Sequence, residues 1–258
     1  MLLEGRKALI TGSRRGIGRG IAILLAKEGA DIGINDIERD QATEDTIKMV
    51  RNEGRNVSWH LADTSHKSGV NQMIDEFLEQ HGQIDILVNN AVRATNRNFL
   101  DIKEEDWDFG VANALKGQFL CSQRVAQEMI GQGKGGSIVN ISSIHAFRAW
   151  PEDTVYGICK AGLVRMVKSM AVDLAGHGIN SNCVAPGYID SRLLTPESEH
   201  LRAGPGYADE AKKLIPSRRG GVPNDVAGAV LFLCSPLGDY VNGQCINVDG
   251  GFLESIYG

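Results

Sequence analysis

Positive charge is in short supply in this chain: 27 lysines and arginines stand against 32 aspartates and glutamates, a net charge of −5. A balance of that sign excludes a general nucleic-acid binder and offers no polybasic patch to an anionic membrane. Long apolar runs are missing as well. No stretch approaches the ~18 apolar residues of a membrane span, and charged residues at Glu4, Arg6 and Lys7 interrupt the N-terminus before a signal peptide could form. Cysteine is sparse: Cys121, Cys159, Cys183, Cys234 and Cys245 are scattered, with no CxxC pair and no metal-ligand spacing. A disulfide framework and a cysteine metal site are thereby excluded, and the thiols read as small buried residues in a reducing compartment. The expectations are a cytoplasmic protein with no metal, no membrane and no nucleic-acid partner. Linkers and internal repeats are absent too, which argues against a multidomain or solenoid chain.

What is present is ordinary for a soluble globular protein: 258 residues, 42% apolar and 23% charged, enough to bury a full core without staples. Short apolar strands alternate with helical patterns. Strands are predicted at Lys7–Thr11, Asp31–Asn35, Asn56–Leu61, Ile84–Val88, Ser137–Ile141, Asn180–Val184 and Gln244–Val248. Helices are predicted at Ile17–Glu28, around Arg39–Glu53, at Ser68–His81, from Lys103 through Cys121 to Ile130, at Tyr156–Gly176 and at Asp225–Cys234. That alternation implies an α/β fold, a single-domain Rossmann-type doubly wound parallel sheet of about seven strands with helices on both faces. The polar segment from Tyr188 to about Ser217, with Pro196, Pro205 and Pro216, reads as a substrate lid over residues 188–217.

The first strand runs straight into Thr11-Gly12-Ser13-Arg14-Arg15-Gly16-Ile17-Gly18, and a helix opens there. Strand, glycine turn and helix N-terminus make a phosphate site, because backbone N–H groups and the helix dipole face the anion and glycine admits close approach. Asp36 ends the second strand, 24 residues beyond Gly12. An acid there accepts the adenosine ribose hydroxyls and repels a 2′-phosphate, which favours NAD. Arg15 pulls toward NADP, and the plain alternative for Arg14 and Arg15 is an exposed loop pair. Asn89 and Asn90 end the fourth strand and can bond neighbouring backbone. Asn113 stands inside a predicted helix, where asparagine competes for backbone bonds; it is a tolerated surface residue or a kink with a purpose. Tyr156 and Lys160 lie one turn apart on a helix, so an ammonium group can favour the phenolate and lower the tyrosine pKa.

Taken together these residues resemble the classical short-chain dehydrogenase/reductase family over essentially the whole chain. The matching pieces are Thr11-Gly-x-x-x-Gly-x-Gly18, Asn89-Asn-Ala91, Asn113, Ser143, Tyr156-x-x-x-Lys160, Pro186-Gly187 and Asp249-Gly-Gly251, in order, with Ser143 thirteen residues before Tyr156. Val92 departs from the glycine the family commonly has there. The resemblance implies that Tyr156 is the acid/base, that Lys160 lowers its pKa and bonds the nicotinamide ribose, that Ser143 holds the substrate oxygen, and that Asn113 holds a water relaying protons to Lys160. It implies an NAD site, with NADP the lesser candidate. That site would comprise Gly12, Ser13, Arg15, Gly16, Ile17 and Gly18 in the loop, then Asp36 and Ile37, with Asp63 and Thr64 at the adenine. Asn90, Ala91, Tyr156 and Lys160 follow, and Pro186, Gly187, Ile189 and Ser191 lie toward the carboxamide. It also implies a homotetramer.

For the substrate, the run Ser142-Ser-Ile-His-Ala-Phe-Arg-Ala-Trp-Pro151 resembles that of bacterial glucose 1-dehydrogenases. His145 could bond a sugar hydroxyl and Trp150 could cover a sugar face; a satisfied loop histidine is the alternative. Arg93, Arg97, Arg148 and Arg192 stand on segments expected near the pocket, where one or two could hold an anionic group or simply be solvated. The function expected is NAD-dependent oxidation of a hydroxyl on a small polar substrate, a sugar at C1 giving a lactone, with an anionic sugar such as a sulfosugar or uronic acid as the finer form. An NADPH-dependent 3-oxoacyl (carrier-protein) reductase and a non-catalytic nucleotide-binding scaffold are the alternatives.

Overall fold

Seven short apolar runs form β1 (Lys7–Ile10), β2 (Asp31–Asp36), β3 (Val57–Leu61), β4 (Ile86–Asn89), β5 (Gly136–Ile141), β6 (Ile179–Pro186) and β7 (Cys245–Val248). In the computed structural model they make one sheet in the order β3-β2-β1-β4-β5-β6-β7, every neighbouring pair parallel. The helices are α1 (Gly16–Lys27), α2 (Gln41–Asn52), α3 (Lys67–His81), α4 (Glu104–Val111), α5 (Gly117–Gln132), α6 (Thr154–Leu174) and α7 (Pro223–Cys234). The structure describes residues 1–191 and 211–255. Most of the expected 188–217 lid, including Arg192, lies outside the described residues.

Alternation along the strands builds two cores, because successive side chains point to opposite faces. Ala8 and Ile10 of β1 and Ile86 and Val88 of β4 join Ile21, Leu25, Val226 and Val230 of α1 and α7. Leu9 and Leu87 point the other way, onto Met73, Phe77, Val125 and Met129 of α3 and α5. Gly33 in β2 is required by that packing, since a Cβ there would lie 2.5 Å from the Phe77 ring. Among the described residues no helix is long and apolar enough to cross a membrane. All five cysteines are free, and burial pushes the Cys121 and Cys234 thiols up to about 12.

The helix predicted from Lys103 through to Ile130 is not continuous. Between α4 and α5 the chain makes a π-turn at Ala112–Lys116, and Asn113 is buried within it. Its Nδ2 donates to the Phe109 carbonyl at 2.8 Å, occupying backbone that the widened turn leaves short of an ordinary i→i+4 partner. Asn113 is therefore the kink residue rather than a surface one.

A histidine pair between β3 and α3, His60 and His81, makes stability depend on pH. Ser58 Oγ lies 2.7 Å from His60 Nε2 and 2.8 Å from His81 Nε2, and His81 stacks on Phe77 at 4.5 Å. Burial pushes both imidazoles below their ordinary value of 6.5, against the smaller opposing pull of Glu76 on His60 and of Asp31 on His81. The unfolded chain takes up protons near that value while the folded chain resists them. The contribution is thus fully present above about pH 6.5 and is lost as pH falls below it. Thermal unfolding should show a Tm that drops between about pH 7.5 and about pH 5.5, with a smaller drop in His81→Gln; a flat Tm would contradict the account.

Candidate active site

β1 and β4 are sheet neighbours, but the chain leaves β1 toward β2 and β4 toward β5, so a crevice opens at their carboxyl ends. Thr11 and Asn90 stitch its floor. Thr11 Oγ1 accepts the backbone N–H of Asn90 at 3.0 Å and of Ala91 at 3.1 Å, while Asn90 Nδ2 donates to the Gly12 carbonyl at 2.8 Å. Gly12 has φ +62°, and a Cβ on it would sit 2.7 Å from the Ala91 Cα. A Cβ on Gly18 would sit 2.5 Å from the Gly12 carbonyl oxygen. Only hydrogen fits at these two points, which lets the loop and the α1 N-terminus close onto a ligand.

The crevice holds a cavity of about 990 Å³. Its lining includes Gly12, Arg15, Gly16, Ile17, Asp36 and Ile37, together with Asp63, Thr64, Asn90, Ala91 and Ser191. Volume, glycine loop and terminal carboxylate fit an extended dinucleotide. Other expected residues lie elsewhere. Ser13 turns inward, its N–H on the Asn35 carbonyl at 2.9 Å and its Oγ on the Ile10 carbonyl at 2.7 Å; Gly18 is behind the loop. Gly187, next to Pro186, donates its N–H to the Val248 carbonyl at 2.9 Å, and Ile189 lines a separate cavity of about 300 Å³ with Val248 and Asp249.

Arg14 and Arg15 part company. Arg15 is exposed at the cavity, whereas Arg14 is buried at 7% exposure, so the alternative of an exposed loop pair does not hold for Arg14. Its guanidinium lies 3.6 Å from Asp36 and 3.1 Å from Glu38, and it also pairs with Asp40. One cation thus stands among three carboxylates, with Arg15 and Arg19 also lining this end of the cavity.

At the other end, Ser143 follows β5 while Tyr156 and Lys160 sit on α6. Lys160 is 1% exposed; its Nζ donates to the Ile141 carbonyl at 2.7 Å and lies 5.4 Å from the Tyr156 ring centroid. Burial lowers its pKa to about 8. The expected lowering of Tyr156 is not found: burial pushes the phenol above its ordinary value, and the Ser143 hydroxyl opposes this only in part. The physical reason is that the phenol and the lysine share one poorly solvated site, where desolvation disfavours both charged forms.

Arg93 also departs from expectation. Its Nε donates to Asn113 Oδ1 at 2.9 Å, and a terminal nitrogen pairs with Asp63 at 2.7 Å. Burial alone would raise Asp63, but bonds from Ser65 and the charge of Arg93 hold it below the usual carboxylate value. Arg93 is thus a strut between Asp63 and Asn113 across the dinucleotide cavity, and Asn113 Oδ1 faces an arginine. The Arg97 guanidinium is paired with Asp106 at 2.7 Å. Beyond Tyr156 the wall is aromatic. His145 stacks on Trp150 at 4.2 Å, Trp150 on Phe252 at 6.1 Å, and the Arg148 guanidinium lies 5.8 Å from the Trp150 ring.

Comparison with known proteins decides what this arrangement belongs to. Residues 12–253 match the family model described as Enoyl-(Acyl carrier protein) reductase. The 2-dehydro-3-deoxy-D-gluconate 5-dehydrogenase of Escherichia coli (strain K12) is 38% identical over 252 residues, covering 97% of this chain and 96% of that protein. The 3-oxoacyl-[acyl-carrier-protein] reductase of Thermotoga maritima is 38% identical over 254 residues, covering 98% and 100%. The crystal structure of acetoin dehydrogenase from Enterobacter cloacae superposes with a TM-score of 0.87 at 37% identity, covering 97% and 96%. The chain belongs to the short-chain dehydrogenase/reductase family.

As a short-chain dehydrogenase/reductase it is an NAD(P)-dependent oxidoreductase acting on CH–OH groups or the matching ketones. The bound nicotinamide supplies hydride acceptance or donation in this chemistry. Among the described residues no cluster could hold a metal ion. Three residues of this short-chain dehydrogenase/reductase escaped the sequence. Glu38 and Asp40 gather on Arg14 only because the loop after β2 folds over the glycine turn. Asp153, bonded to His145 at 2.8 Å, carried one faint signal, an aspartate at the mouth of a predicted helix.

Proposed function

We propose that this enzyme uses NAD to oxidise a hydroxyl on a small, polyhydroxylated, anionic substrate of the sugar or sugar-acid class. The observation that carries the cofactor half is Asp36, which ends β2 and lines the cavity. A 2′-phosphate on the ribose it would bind meets that carboxylate as a like charge. Arg15, exposed on the cavity, and the 3-oxoacyl reductase relative favour NADPH and the reductase alternative. For the substrate, two relatives support small hydroxylated molecules: one is named for a deoxygluconate and one for acetoin. The sugar-acid relative favours a secondary hydroxyl over the C1 position expected from the sequence. Arg148, whose guanidinium lies 5.8 Å from the Trp150 ring on the wall beyond Tyr156, is the arginine proposed to meet the anionic group.

In the proposed chemistry Ser143 holds the reacting oxygen and Tyr156 Oη takes its proton. Lys160, its pKa lowered by burial to about 8 and so still charged at neutrality, favours the phenolate form that accepts the proton. Asn113 holds the π-turn that shapes the wall opposite. We also propose a cytoplasmic homotetramer; the reduced thiols and the exposed apolar Phe119, Val172, Leu237 and Tyr240 support it. Initial rates with NAD and NADP, measured on sugar acids, neutral aldoses and a β-hydroxyacyl thioester, test the function. NAD-linked oxidation of a sugar acid is expected. NADP-linked oxidation of the thioester would overturn it, and equal rates on neutral and anionic sugars would remove the role of Arg148.

A further inference from the structure

The proton transfer assigned to Tyr156 makes no use of a hydrogen-bonded pair that stands beside it. The His145 ring meets Tyr156 edge-on at 5.3 Å between centroids, and the His145 backbone N–H reaches Ser143 Oγ at 3.2 Å. The imidazole therefore neighbours Tyr156, while the backbone of the same residue holds Ser143 Oγ. It is also fixed in place. Trp150 stacks on it at an interplanar angle of 25°, and Asp153 Oδ2 lies 2.8 Å from Nδ1. That same carboxylate oxygen accepts the Trp150 backbone N–H at 3.0 Å, so one aspartate orients both members of the stack. Asp153 in turn is buried and tied to the start of α6, where its carbonyl accepts the Gly157 N–H at 2.6 Å.

The chemistry of the pair follows from what each group can donate. A carboxylate only accepts, so the hydrogen of a neutral imidazole sits on Nδ1 and Nε2 is left as an acceptor. Beside a reacting alcohol, an acceptor suits a second O–H and gains nothing from a methylene or a thioester sulfur. We propose that Asp153 is a positioning residue holding His145 so that Nε2 accepts a hydrogen bond from a second substrate hydroxyl, on the carbon next to the one oxidised. The site then selects vicinal diols and polyols over simple alcohols. This deepens the proposed hydroxyl oxidation and rests on it.

Sites built around a hydrogen-bonding partner discriminate strongly against analogues that lack the group. The test is kcat/KM with NAD for butane-2,3-diol against butan-2-ol, which differ in that one hydroxyl. Wild-type protein should prefer the diol by about tenfold or more, and His145→Phe and Asp153→Asn should each cut that ratio by about tenfold. Equal rates on the two alcohols, or a ratio that survives His145→Phe, would overturn the proposal while leaving alcohol oxidation standing. Oxidation of neither alcohol by protein that still oxidises a sugar acid would overturn this proposal alone, and oxidation of none of the three would overturn both. A second measurement needs no variant: ¹⁵N NMR of histidine-labelled wild-type protein should show His145 protonated at Nδ1. Finding the proton on Nε2 would overturn the assignment of Asp153.

Discussion

Replacing Tyr156 with phenylalanine should lower turnover by about 10²–10⁴-fold, the range that a general acid or base contributes, while the dinucleotide still binds. The ring itself is held by contacts that the substitution keeps: His145 against its edge and Lys160 5.4 Å from its centroid. The dinucleotide cavity is lined by other residues, so titration with NAD should give a Kd close to that of the wild type. Only the proton acceptor is removed. Single-turnover rates and a binding titration, run side by side, separate these effects, and retained turnover in Tyr156→Phe would remove the residue from the mechanism. The wild-type enzyme carries a second signature of the same group. Burial pushes the phenol above its ordinary value, so below that value the basic form is the minor species and grows with pH. Oxidation should accelerate from neutral toward about pH 8, above which Lys160 loses the charge that favours the phenolate, and ketone reduction should not share that rise.

The second large effect is on cofactor choice. Asp36→Ala should raise the ratio of kcat/KM for NADP over NAD by about a hundredfold, because setting a carboxylate against a phosphate costs several kcal/mol and each ~1.4 kcal/mol is tenfold. The variant should fold, since Arg14 keeps Glu38 at 3.1 Å and its pairing with Asp40. Arg14 would then have one carboxylate fewer beside it and could face the phosphate. If the ratio stays put, Asp36 is not the discriminating group, and selectivity lies with Glu38 or Arg15.

These expectations draw unequally on sequence and structure. The strands were legible because each is a short apolar run ended by a turn signal. The glycine loop was legible because strand, glycines and helix are consecutive, and local geometry follows from local sequence. Periodicity could not show the π-turn at Ala112–Lys116. One extra residue in a helical turn barely disturbs an apolar stripe, and Asn113 in mid-helix was its one trace. The arginines misled for a different reason. Charge and segment placed Arg93 near the pocket, but its partners Asp63 and Asn113 come from two other segments of the chain. The lowered pKa expected for Tyr156 failed likewise: helical spacing predicts that Lys160 is near, but says nothing about the burial that raises one group and lowers the other.

By itself the amino-acid sequence determined the alternation of strands and helices, the phosphate-binding turn, and the presence of Ser143, Tyr156 and Lys160 in their family order. All of these depend on residues close in the chain, where backbone geometry leaves few choices. Tertiary structure alone decided which charges are already paired. It surrounded Arg14 with Asp36, Glu38 and Asp40, set Arg93 across the cavity, and joined Asp153 to His145 beside Tyr156. Ion pairs and desolvation act through distance and burial, quantities that exist only once the sheet has brought separate segments to one edge.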